Sequence, residues 1–174
     1  AAKTSSWAES DVNLALNDDL LDTALLGSDY TKPISRLQFC SVAVRLAETL
    51  TGKSITPAAA NTFTDTNNAY VLKAYAAGIT TGTSATTFSP NATLNRQQMA
   101  TFLRRTLQYV EKNSGYSYTS YPSKLASYTD NALVQSWARE AMAFMNALDL
   151  VKGTTATTLN PNGTCTIEQA VIVA

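Results

Sequence analysis

The 174-residue chain contains no histidine. That absence removes His-based catalytic triads, Cys–His nucleophile pairs and most transition-metal sites. Cysteine is scarce: Cys40 and Cys165 stand too far apart for a metal knuckle, and two cysteines make no disulfide framework. Both fall on apolar positions of expected helices, so free buried thiols are the default reading and one long-range disulfide the alternative. Charge is scarce too. Asp, Glu, Lys and Arg supply 15% of the residues, and 13 basic side chains cancel 13 acidic ones. Bulk charge therefore gives no case for nucleic acid or a membrane surface. No apolar run approaches a membrane span. There is no glycine-rich phosphate loop, and "DTNNAY" (65–70) lacks the glycine and terminal glutamate of a calcium loop. No metal or cofactor is expected. The Ala1-Ala2-Lys3 opening carries no signal peptide, which suits a processed secreted chain or a shortened one.

What is present is 45% hydrophobic residues, enough to bury a sizeable core as one domain or as small units sharing one core. The charge is uneven: residues 61–127 carry 6 basic against 2 acidic side chains, between flanks of net −2 each. A weakly anionic partner for the middle is allowed, with solvated surface charge as the plainer reading.

Repetition organises the rest. "GTSATTFSPNATLNRQQMA" (82–100) aligns with "GTTATTLNPNGTCTIEQAV" (153–171), sharing Gly82/Gly153, Pro90/Pro161, Asn91/Asn162 and Gln98/Gln169. "ISRLQFCSVAVRL" (34–46) aligns with "LNRQQMATFLRRT" (94–106), so that Arg36 meets Arg96 and Gln38 meets Gln98. The chain therefore reads as one three-repeat module over 1–174, with copies at about 5–50, 61–112 and 128–174 and linkers at 51–60 and 113–127. Ser35, Asn95 and Thr166 are cap residues, each followed three positions later by glutamine, the capping-box spacing. Helical apolar spacing follows: Met99, Phe102, Leu103, Leu107 and Val110 in copy two, and Phe39, Val42, Ala43, Ala47 and Leu50 in copy one. The third such helix stops at Ala174, about two turns short of its counterparts.

Each copy also opens with a helix. The stripes are Trp7, Val12, Ala15, Leu16 and Leu20; then Tyr70, Val71, Ala74, Tyr75 and Ile79; then Val134, Trp137, Ala138, Ala141, Met142, Met145 and Leu148. A unit of about 45 residues buries its own stripe poorly, so the copies should pack their helices together. The expectation is all-α. Tyr116, Tyr118 and Tyr121 of the second linker suit either surface packing or a sugar-facing role.

These residues carry a resemblance. "FTDTNNAYVLKAYAAGITTGTSATTFSPNATLNRQQMATFLRR" (63–105) resembles an S-layer homology repeat through Phe63, Asp65, Gly78, Ile79, Gly82, Phe88, Pro90 and Arg96. Copy three fits through Tyr128, Asp130, Trp137, Gly153, Pro161 and Glu168. Copy one keeps Trp7 and "DYTKPISR" (29–36). The resemblance implies three helix–loop–helix repeats in a pseudo-threefold arrangement around a central helical bundle. It implies a non-catalytic, secreted module at the cell wall or cell surface, without membrane insertion and attached to further domains. The expected partner is an anionic secondary cell-wall polysaccharide, often bearing pyruvate ketals, held in inter-repeat grooves. By position, the ligand-binding residues would be Arg96, Arg36, Trp137, Trp7, Gly82, Gly153, Asp65 and Asp130. In copy three Ile167 replaces the arginine, so a groove relying on that residue should be altered.

Each of these residues has a plainer role beside the binding one. Arg96 and Arg36 bond either to a neighbouring repeat or to an anion favoured by free helix N–H groups. Trp7 and Trp137 serve core packing or sugar stacking, Gly82 and Gly153 turn geometry, and Asp65 and Asp130 the capping of the segments that follow them. The alternative function is a degenerate module with a structural or protein-interaction role.

Overall fold

In the computed structural model, which describes residues 3–118 and 122–174, the fold is all-α. Its helices are α1 (Glu9–Asn17), α2 (Arg36–Thr51), α3 (Ala69–Ala76), α4 (Arg96–Asn113), α5 (Arg139–Ala147) and α6 (Ile167–Val173), with short 3-10 turns between α4 and α5. No strand forms among the described residues; four isolated bridges are the only extended pairing.

The starts of α2, α4 and α6 follow from the cap residues. Asn95 accepts from Gln98 N–H at 2.9 Å while the Gln98 side chain accepts from Asn95 N–H at 2.9 Å. Ser35 with Gln38 and Thr166 with Gln169 form the same reciprocal box. The residues just before these caps bond to one another in a closed ring. Ile34 N–H donates to Cys165 O at 2.9 Å, Cys165 N–H to Leu94 O at 3.0 Å, and Leu94 N–H to Ile34 O at 3.1 Å. Beyond the ring, the first two amides of each helix donate to the turn of another copy. Arg36 and Leu37 reach Ala92 O and Pro90 O, Arg96 and Gln97 reach Gly163 O and Pro161 O, and Ile167 and Glu168 reach Lys32 O and Tyr30 O.

Those bonds consume the donors that a helix start normally leaves free. The expectation that free N–H groups beside Arg96 and Arg36 favour an anion is therefore corrected. Two amides serve a neighbouring turn and the third serves the cap.

Packing follows the same exchange. The opening helix of each copy lies against the second helix of another: α1 on α6, α3 on α2, α5 on α4, with α2 packed on α4 and α6. One buried core runs through all of them, including Leu25, Ile34, Phe39, Ile79, Leu103 and Met145. A 45-residue unit has too little interior of its own, and exchange of helices supplies the missing faces. Cys40 and Cys165 are free and buried, and burial pushes both thiols up to about 12.

The opening stripe of copy three departs from expectation. Only Arg139–Ala147 is α-helical; Trp137 falls on a 3-10 turn at Ser136–Ala138, because Val134 and Gln135 are extended and Gln135 N–H donates to the Gln97 side chain at 2.9 Å. Trp137 is 55% exposed and Trp7, just before α1, is 60% exposed. Neither tryptophan packs in the core, which corrects that reading of their stripes. In the second linker Tyr116 is exposed, Tyr118 rests partly buried on the core, and Tyr121 lies outside the described residues.

Because the Asn95 cap adjoins the backbone ring, its loss should be felt by the whole module. Asn95→Ala is expected to lower stability by about 1 kcal/mol. Urea denaturation should register this as one shifted cooperative transition with an unchanged slope.

Candidate functional site

Copies two and three each project a Gly-Thr loop, and the same three devices fix both. The first is a glycine that leaves no room for a side chain. A β-carbon at Gly82 would stand 2.6 Å from Thr87 O and 2.8 Å from Phe63 Cε1; one at Gly153 would stand 2.5 Å from Tyr128 Cε1 and 2.7 Å from Thr158 O. The second is an aspartate. Asp65 accepts from Phe88 N–H at 2.9 Å and Ser89 N–H at 2.8 Å, and Asp130 from Leu159 N–H at 2.8 Å and Asn160 N–H at 2.7 Å. Both aspartates tie a turn more than twenty residues downstream in place, which corrects the expectation that they cap the segment directly after them. Bonds from the Phe88 amide to Asp65, and from the Leu159 amide to Asp130, are the main cause of their carboxyls lying below the usual aspartate value of 3.8.

The third device is the arginine of a neighbouring copy. Arg36 Nε donates to Phe88 O and Nη2 to Thr81 O, both at 2.8 Å, with the guanidinium 4.5 Å from the Phe88 ring centre. Arg96 Nε donates to Leu159 O at 3.0 Å and Nη2 to Lys152 O. Both arginines are buried, and no carboxylate among the described residues lies within ion-pair distance of either. Burial pushes both guanidinium pKa values down from their ordinary value. A charge-assisted bond contributes about 1.5–3 kcal/mol, whereas a cation at a helix start costs about 0.3–1 kcal/mol. The two carbonyl bonds therefore outweigh the unfavourable dipole. One residue receives both contacts: Asp130 binds the N–H of Leu159 and Arg96 its C=O.

Arg96 is not used up by these bonds. Its Nη1 has no acceptor among the described residues, and the side chain lines a groove of about 400 Å³. Trp7 of copy one, Lys152 and Gly153 of the copy-three loop, and Gln169 of α6 line the same groove. Trp7 offers an exposed indole face. Lys152 and Arg96 supply two cations against the single carboxylate of Asp149, which pairs with Lys152 Nζ at 3.2 Å. An aromatic face beside hydrogen-bond donors and net positive charge suits a sugar bearing a carboxylate.

Of the residues expected at the site, the structure brings Trp7, Arg96 and Gly153 together in this groove. Asp130 stands behind it, holding the loop. Arg36, Gly82 and Asp65 form the corresponding loop support in copy two, and Trp137 lies on its 3-10 turn against α4. Lys152 and Gln169 were not anticipated. Lys152 has a sequence signal in standing directly before Gly153; Gln169 has only its cap spacing.

Because both aspartates have depressed carboxyl pKa values, their contribution is present above the ordinary value of 3.8 and lost as pH falls through the lower folded value. The double variant Asp65→Asn/Asp130→Asn should flatten the acid limb of a stability–pH profile. Urea midpoints between neutral pH and about pH 2 read this directly.

Residues 62–100 and 127–171 match the S-layer homology domain. An endoglucanase of Bacillus sp. (strain KSM-635) is 31% identical over 103 residues, 59% of this chain; the chain spans 10% of that protein's length. S-layer homology domains are non-catalytic anchoring modules of proteins attached to the cell wall or cell surface. The two segments that match the S-layer homology domain are thus the two copies that carry the glycine, the aspartate and the arginine-held loop.

Proposed function

We propose that this module anchors a larger secreted surface protein to the cell wall by holding an anionic polysaccharide, including a pyruvylated one, in the groove at Trp7, Arg96 and Lys152. The observation that carries the reading is the groove itself. It sets a 60% exposed indole beside a guanidinium whose Nη1 is unpaired among the described residues, at a place where three copies meet. The Arg96 Nη1 edge and Lys152 Nζ would receive the carboxylate, Trp7 would stack on a sugar ring, and Gly153 would keep the loop close. Asp130 supports the site without touching ligand. Arg36, Gly82, Asp65 and Trp137 are assigned to a second inter-repeat site on the same plan.

A second reading has its own observation. Arg36 and Arg96 both spend two donors on backbone carbonyls, so the motif can be kept for the fold alone, in a structural or protein-interaction module.

The two readings separate in a pull-down on purified wall glycan. The parent protein should sediment with the glycan, and Trp7→Ala should lose about tenfold in affinity, within the range for an aromatic stacking contact, with its urea midpoint unchanged. Absence of parent binding would establish the structural reading, and full binding by Trp7→Ala would remove the groove from the account.

A further inference from the structure

The backbone register relates the inter-repeat clefts to one another. Leu20, Ile79 and Leu150 donate their amides to Ala15, Ala74 and Met145, so Asp19, Gly78 and Asp149 occupy one equivalent position. All three have positive φ, at 58°, 75° and 61°. On this register Asp22 stands where Lys152 stands, and Ile167 where Arg96 stands.

A cleft beside Asp19 is nonetheless about as large as the groove at Trp7. It measures about 430 Å³ and is lined by Asp19, Arg45, Glu48, Tyr70 and Lys73. Its aromatic is Tyr70, equivalent to Ala141 and so one helical turn beyond the Trp137 position. Its guanidinium comes from the middle of α2. Arg45 Nε donates to Tyr70 Oη at 3.0 Å, Nη1 lies 3.2 Å from Asp19 Oδ1, and Nη2 lies 3.4 Å from Asp22 Oδ1. Tyr70 Oη in turn donates to Asp22 at 3.3 Å, and Lys73 pairs with Glu48 at 2.6 Å.

We propose that Asp22 and Asp19 are specificity residues that close this third cleft to the anionic ligand by giving Arg45 internal carboxylates in place of an external one. The proposal rests on the anionic-glycan reading above. Two cations, Arg45 and Lys73, line this cleft with two carboxylates, Asp19 and Glu48, and Asp22 holds Arg45 from outside the lining, whereas at the Trp7 groove two cations face one carboxylate. The size is similar and the positive excess is gone, so an anion entering this cleft finds both cations already paired with carboxylates of the chain.

The test uses the whole chain, a methyl hexoside 4,6-pyruvate ketal as probe, and amide NMR shifts of α3 and of the Trp7 indole. Asp19→Asn/Asp22→Asn removes both carboxylates, and asparagine tolerates the positive φ of position 19. The expected result is a saturable, salt-sensitive shift at Tyr70 and Lys73 that the parent lacks. No shift there, in a variant whose spectrum remains folded, overturns the proposal, as does an equal shift in the parent. Loss of the Trp7 indole shift in the parent would instead count against the glycan reading, so the two failures are distinct. Lys152→Asp, at an exposed position, is the reverse experiment. It puts the Asp22 pattern into the Trp7 groove and should abolish the indole shift; persistence of that shift also overturns the proposal.

Discussion

Three amide-to-carbonyl bonds among Ile34, Leu94 and Cys165 hold the rest of this structure in place. Each residue donates to one neighbour and accepts from the other, so every copy is committed to both others before any side chain is considered. The ring sets the three capped helix starts side by side. Each start then lies against another copy's turn, which takes its first two amides. A buried amide without a partner costs about 1–3 kcal/mol, so the arrangement is self-enforcing: a copy that moved away would strand donors on its neighbour. Exchange of opening helices, α1 on α6, α3 on α2 and α5 on α4, is the side-chain counterpart of the same closure.

From this follows the role of the buried arginines. Arg36 and Arg96 sit at the ring because they are first residues of their helices, and from there they reach the next copy's loop. Arg36 holds the loop of copy two and Arg96 that of copy three. The loop left over belongs to copy one, and the residue that would hold it is Ile167. Copy one has no Gly-Thr loop there; Leu21 and Leu25 are buried in that segment instead. An arginine and the loop it holds are thus absent together, because a loop without its clamp leaves carbonyls unpaired and a clamp without its loop leaves a buried charge unpaired.

Much of this was legible in the residues. The capping boxes at Ser35, Asn95 and Thr166 came directly from spacing, because a cap and its partner lie within one helical turn. The all-α class and the burial of Cys40 came from apolar periodicity; Cys165 is buried too, but ahead of the Thr166 cap and not on the helix expected to carry it. The exposed tryptophans were not legible. Trp137 keeps helical spacing with Ala141 and Met145, but Gln135 is drawn out of the helix by Gln97, thirty-eight residues away in sequence. The partners of Asp65 and Asp130 were hidden for the same reason, lying 23 and 29 positions downstream. The double duty of Arg96, as loop clamp and groove wall, depends on which edge of its guanidinium is spent, and only coordinates carry that.

The central claim is that the edge of Arg96 left over from loop clamping, with Trp7 and Lys152, is where wall glycan sits. A crystal structure of the module with a pyruvylated wall-glycan fragment tests it most directly. The account predicts the ketal carboxylate within hydrogen-bond reach of Arg96 Nη1 and a sugar ring stacked on Trp7, with the Leu159 and Lys152 carbonyl bonds intact. A fragment bound elsewhere while the Trp7 face stays bare, or one that breaks those carbonyl bonds to claim the guanidinium, would contradict it.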